Sequence, residues 1–177
     1  MPDPFTLLGV EPRYDLDLLA LKEQHRELSR ALHPDRYAGR AAAERRAALG
    51  RAIEVNQAWR ALSDPVFRAE ALLERLGVAT GETAEPQADP GFLAEMLDRR
   101  ESLSEARRER SLEAVRSLAA DMRQKESALV GDLGEHFARL AVDPDRSSAT
   151  LLRKKLGELR FCRRFLDEAS SIEDDLL

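Results

Sequence analysis

A chain of 177 residues with 43% hydrophobic and 34% charged side chains has the composition of a helix-rich globular protein and excludes a disordered one. Its single cysteine, Cys162, rules out an intrachain disulfide framework, and no run approaches the roughly 18 apolar residues that span a bilayer. The net charge of −5 arises beyond residue 76, because residues 1–76 carry 12 basic and 12 acidic side chains and the rest 16 and 21. A basic surplus on neither part argues against a general nucleic-acid binder. The expectation is a cytoplasmic protein with neither nucleic acid nor membrane among its partners.

The first helical pattern starts at Leu18, where Leu18, Leu21, Leu28 and Leu32 follow 3–4 spacing with His25 on the same stripe. His25 is therefore expected to be a packed core histidine. Pro34 lacks an N–H and pushes His33 out of the α region, so this helix must end near Leu32. A second pattern from about Ala41 to Leu62 places Leu49, Ile53, Asn56, Trp59 or Arg60, and Leu62 on its stripe. Two antiparallel helices joined by residues 33–40 would bury both stripes together. At 63–65 the run Ser-Asp-Pro offers Asp64 as an N-cap and Pro65 at the first helical position. A short helix carrying Phe67, Leu72, Leu73 and Leu76 then ends at Gly77.

Residues 77–89 are small and polar, without periodicity, and read as a linker. Asp89-Pro90 repeats the start signal of Asp64-Pro65. Beyond it three helical patterns follow, from about Pro90 to Arg107, from about Arg110 to Leu140, and, after the break at 143–148, through the last residues. The second carries Leu112, Val115, Leu118, Met122, Leu129, Leu133, Phe137 and Leu140 on one stripe; the third carries Leu152, Leu156, Leu159, Cys162, Leu166, Ala169 and Leu176. No alternating β-pattern competes with these. The fold class expected is all-α, with residues 1–76 as one module, 77–89 as linker and 90–177 as a three-helix bundle.

His33-Pro34-Asp35 permits several chemistries when taken alone. An enzyme needs a nucleophile or metal and a water-excluding pocket, yet His25, His33 and His136 form no metal-ligand spacing with one another or with a Cys pair. Pro34 could simply stop the helix while Asp35 caps a turn. Alternatively, a rigid proline between an imidazole and a carboxylate makes a recognition knob, since an arginine can grip Asp35 in bidentate fashion. Just upstream, Lys22, Arg26 and Arg30 are spaced by four and form a basic row, with Glu23 and Glu27 one row over. Such a row is either a solvated face or a surface that orients an acidic partner.

In the second module, Phe92, Met96 and Leu103 fall within about 40° on a helical wheel and form a core face. Leu93, Leu97, Glu101 and Glu105 form a different row, flanked by Ala94 and Asp98. Two shoulder leucines running into carboxylates have the pattern of a binding strip with an apolar centre and a polar rim. They could instead pack within the bundle or on the first module. On the last helix Phe161 and Phe165 fall about 200–240° from Leu159, off the expected stripe, with Phe165 a candidate for packing between the modules. Cys162 lies on the stripe and reads as a small core hydrophobe.

The start PFTLLGV, the amphipathic helix, His33-Pro34-Asp35, the long second helix and NQAWRALSDPVFRAE at 56–70 together resemble a J-domain over about residues 3–76. With FLAEMLDRRESLSE and ELRFCRRFLDE in the second module, the whole chain is similar to the HscB family, co-chaperones of iron–sulfur cluster assembly. That resemblance implies a protein without catalytic residues or cofactor. It would dock on the ATPase of a DnaK-type chaperone, HscA, through His33, Pro34, Asp35, Arg26, Arg30 and Lys22. It also implies binding of the cluster scaffold IscU through Leu93, Ala94, Leu97, Asp98, Glu101, Glu105 and Phe161. Ala94 is smaller than the methionine-like residue expected there, and Asp98 is shorter than glutamate, which trims the contact area. A J-domain co-chaperone serving an unrelated client through the same bundle is the alternative.

Overall fold

The computed structural model describes residues 2–80, 89–142 and 146–177, with the side chains of 141, 142, 146 and 147 outside the description. The chain divides into two compact units, Met1–Ala79 and Thr80–Leu177. All regular structure among the described residues is helical. Residues 81–88 of the expected linker, and 143–145 of the expected break, lie outside the described residues.

In the first unit α1 (Pro4–Leu8) precedes the hairpin of α2 (Leu18–Ala31) and α3 (Ala42–Ser63), and α4 (Pro65–Arg75) follows. Each start has a local cause. The Asp3 carboxylate accepts from Thr6 N at 3.2 Å, Asp17 from Leu19 N at 2.9 Å, and Asp64 from Val66 N at 2.8 Å. α4 stops in a Schellman turn, with Gly77 at φ 70° and Val78 N donating to Leu73 O at 2.9 Å. The hairpin turn contains a short 3-10 helix, Pro34–Tyr37, which starts at the proline that ends α2.

The buried face of α3 differs from the expected one. Leu49 and Ile53 are 56% and 50% exposed, while Ala48, Val55, Ala58 and Leu62 are buried. Small side chains let α1, α2 and α4 approach α3 closely, so the true contact stripe is the less hydrophobic one. On α4 likewise Phe67 and Leu76 are exposed, and Val66, Ala69, Leu72 and Leu73 fill the core with Phe5, Leu8 and Leu21. Arg68 is buried: its guanidinium lies 4.8 Å over the Tyr14 ring and donates to Leu62 O at 2.7 Å, satisfying a carbonyl left open at the end of α3. On α2 Leu18 is exposed and Leu21 is the buried position.

The second unit comprises α5 (Pro90–Arg108), α6 (Leu112–Val142) and α7 (Arg146–Leu176) packed as a three-helix bundle. Asp89 caps α5, accepting from Gly91 N at 2.9 Å. Between α5 and α6 Arg110 takes the left-handed conformation, φ 54°, in the position where glycine is usual, and Ser111 Oγ accepts from Ala114 N at 3.3 Å to start α6. The core contains Met96, Leu103, Val115, Met122, Leu133, Leu156, Leu159, Cys162 and Ala169. Phe165 is also fully buried, against the expectation that it stands off the stripe. Counted from Cys162 it sits at i+3, so the stripe of this 31-residue helix runs through it, and Leu166 and Leu176 fall to the half-buried margin. Ion pairs between helices align the bundle, among them Lys125 with Glu95, and Arg163 Nε to Glu126 at 3.0 Å.

Candidate functional site

The tripeptide stands at the turn of the hairpin. Pro34 fixes the entry to the 3-10 turn, and His33, extended at ψ 134°, caps it: its Nδ1 accepts from Asp35 N at 3.3 Å. That same Nδ1 lies 3.4 Å from Asp35 Oδ2. Both side chains are exposed, and the Asp35 carboxylate is open to a partner. No group of three His, Cys, Asp or Glu side chains among the described residues could hold a metal. The turn is exposed and carries its own local hydrogen bond.

Lys22, Arg26 and Arg30 are exposed along α2, running up to that turn, with Arg26 Nη1 3.8 Å from Glu23 Oε1. The hairpin beneath them is pinned by His25. Instead of a core histidine the structure has a half-buried ring, stacked on Trp59 with centroids 5.1 Å apart. Its Nε2 lies 2.9 Å from Asn56 Oδ1 and 3.3 Å from Ser29 Oγ. Asn56 and Trp59 are polar or amphipathic groups at the edge of the helix contact, where a ring with one wet side fits better than an aliphatic one.

In the second unit Leu93, Ala94, Leu97, Asp98, Glu101 and Glu105 are all exposed along α5, with Leu93 40% and Leu97 69% accessible. Phe92, Met96 and Leu103 face the core as the wheel requires. Phe161 on α7 is half-buried and meets Phe92 edge-on at 5.9 Å, which brings it beside α5. Two guanidiniums flank it, Arg100 at 5.4 Å and Arg164 at 5.2 Å, and Arg100 also lies 3.8 Å from Glu168. These arginines were not singled out in the sequence; Arg164, one turn after Phe161, is the one whose spacing carried a signal. Cys162 is buried, and desolvation pushes its thiol up to about 11, which leaves it inert.

An antiparallel helix pair presenting His-Pro-Asp at its turn, followed by a three-helix bundle, defines a J-domain co-chaperone architecture. Residues 88–170 match the family model described as the HSCB C-terminal oligomerisation domain. The co-chaperone protein HscB homolog of Bordetella pertussis is 38% identical over 171 residues, covering 97% of this chain and 96% of that protein. The homolog of Neisseria meningitidis is 33% identical over 81% of this chain and 86% of its own. Among solved structures, chaperone HscB from Vibrio cholerae superposes with a TM-score of 0.83 at 26% identity, covering 99% of both chains. Human co-chaperone protein HscB, at 21% identity, shares the fold with a TM-score of 0.85 over 97% of this chain and 82% of its own. The chain belongs to the HscB family of co-chaperones. No described helix is long and apolar enough to cross a membrane.

Proposed function

We propose that this co-chaperone serves iron–sulfur cluster assembly, with residues 1–76 as the J-domain and 90–177 as the client-binding domain. The J-domain docks on a DnaK-type chaperone, HscA, through His33, Pro34 and Asp35 and the row Lys22, Arg26 and Arg30, and stimulates its ATPase. The bundle binds the scaffold IscU through Leu93, Ala94, Leu97, Asp98, Glu101, Glu105 and Phe161. The observation that carries this reading is the exposed, locally capped tripeptide at the end of a basic helix row, in a chain that belongs to the HscB family.

The division of labour follows from the chemistry of each surface. A proline-stiffened turn loses little freedom on docking, and a carboxylate at its tip offers an arginine two parallel hydrogen bonds. The basic row adds orientation and association rate more than affinity. On α5 the leucines supply an apolar centre and the carboxylates a rim that selects a basic partner surface. The test is steady-state ATP turnover by HscA with this protein, with and without IscU. Stimulation that is synergistic with scaffold is expected. Stimulation indifferent to scaffold would assign the bundle another client, and none at all would overturn the proposal.

A further inference from the structure

The misplaced stripe of α3 leaves Leu49 and Ile53 in solvent, 56% and 50% exposed, on a helix that has a full core face elsewhere. Their direction follows from the contacts that define the hairpin. His25 of α2 meets Asn56 and Trp59 of α3, so these residues mark the facing sides. At 100° per residue Leu49 and Ile53 lie about 20° and 60° from Asn56, on the side away from buried Val55. Lys22 and Arg26 lie about 60° and 100° from His25, on the side away from buried Leu21. In an antiparallel pair whose core lies to one side, both sets emerge on the other side. Arg46 and Arg60, about 80° and 40° from Asn56, join the same face. Glu23, Glu27 and Glu54 point about 140° or more from the facing residues, and Glu44, about 120° from Asn56 and 60° from Trp59, lies on the opposite side of Asn56 from Leu49 and Ile53. The result is one continuous surface with an apolar centre and cations around it, its carboxylates confined to the margins, Glu23 beside Arg26 and Asp35 at the tripeptide. It reaches the tripeptide, because the 3-10 turn packs on α3 and Arg45, one turn before Leu49, donates to Ala38 O at 3.5 Å.

We propose that α3 supplies half of the chaperone-docking face, with Leu49 and Ile53 as its apolar centre and Arg46 and Arg60 as its border. The occupant is the ATPase-bearing chaperone, through an acidic surface with an apolar patch, and the inference rests on the function proposed above. Charge complementarity and continuity with the tripeptide select this partner. The basic bundle-binding partner sought by the α5 carboxylates would be repelled here.

The experiment is ATP turnover by the chaperone titrated with the full-length protein, wild type against L49S/I53S, R46E/R60E and His33→Gln, with urea midpoints and circular dichroism recorded for each. L49S/I53S is expected to raise the half-saturating concentration about tenfold or more while leaving the maximal rate intact, since both side chains are already half in water. R46E/R60E is expected to raise it at low salt and to lose that effect as salt screens the face. Half-saturation within twofold of wild type for both variants, with His33→Gln still inactive, would overturn the α3 surface and leave the proposed function standing. An active His33→Gln would overturn the function itself. Unchanged half-saturation with loss of a self-associated species in L49S/I53S would give the face to a second copy and overturn the inference.

Discussion

Leu97→Ser separates a binding residue from a structural one. Leu97 is 69% exposed while its neighbour Met96 is 1% exposed, so the substitution removes little that the fold uses. Its expected effect on stability is within about 0.5 kcal/mol, the range of surface changes away from special features. Fully burying a leucine is worth about 1.5–3 kcal/mol, and a partner that covers Leu97 can capture only the part still in water, about 1–2 kcal/mol. That predicts a roughly 5–30-fold rise in the dissociation constant for the scaffold. Titration calorimetry with IscU and urea denaturation of the same preparation read the two quantities independently. A loss of stability above about 1.5 kcal/mol would place Leu97 in the fold, and unchanged affinity would remove it from the scaffold surface.

Phe165→Ala should behave in the opposite way, costing about 3–5 kcal/mol in urea denaturation because the ring is fully buried. Glu95 sets an acid dependence: hydrogen bonding to Lys125 holds its carboxyl below the ordinary range, against the opposing push of burial. A lowered folded pKa means that this contribution is complete above the unfolded pKa and fades as pH falls through the folded one. Glu95→Gln should therefore lose stability near neutrality and show a flatter stability profile below about pH 4.3 than the wild type. Cys162, with its thiol raised to about 11 and no exposure, should resist iodoacetamide at neutral pH in the native protein and react only on unfolding; rapid native labelling would contradict the packing.

Features written in local chemistry were legible in the sequence. Pro34 ends α2, Asp64-Pro65 and Asp89-Pro90 start helices, and Gly77 closes the first unit's last helix, because each acts through its own backbone neighbours. The exposed positions of Leu93, Leu97 and the α5 carboxylates followed from one well-phased wheel anchored on Phe92 and Met96. What escaped depends on packing at a distance. On α3 the large residues Leu49 and Ile53 drew the expected stripe, while close approach selects Ala48, Val55 and Ala58. A wheel phased from Leu159 puts Phe165 off the stripe, because over 31 residues the buried stripe drifts around the helix. Arg68 over the Tyr14 ring and the His25–Asn56–Trp59 contact join residues far apart in sequence, and no periodicity within one element announces them.

We propose that His33 and Asp35 act on another protein's ATPase, and that their part in their own chain's stability is confined to the local cap of the 3-10 turn. The most direct measurement is the maximal ATP turnover of the chaperone at saturating co-chaperone, wild type against His33→Gln. It should be made alongside scaffold affinity and the urea midpoint of each protein. Stimulation is expected to be lost in His33→Gln with scaffold affinity unchanged and stability altered by no more than about 0.5 kcal/mol, the scale of an exposed substitution. Full stimulation by His33→Gln, or a loss that tracks unfolding, would contradict it.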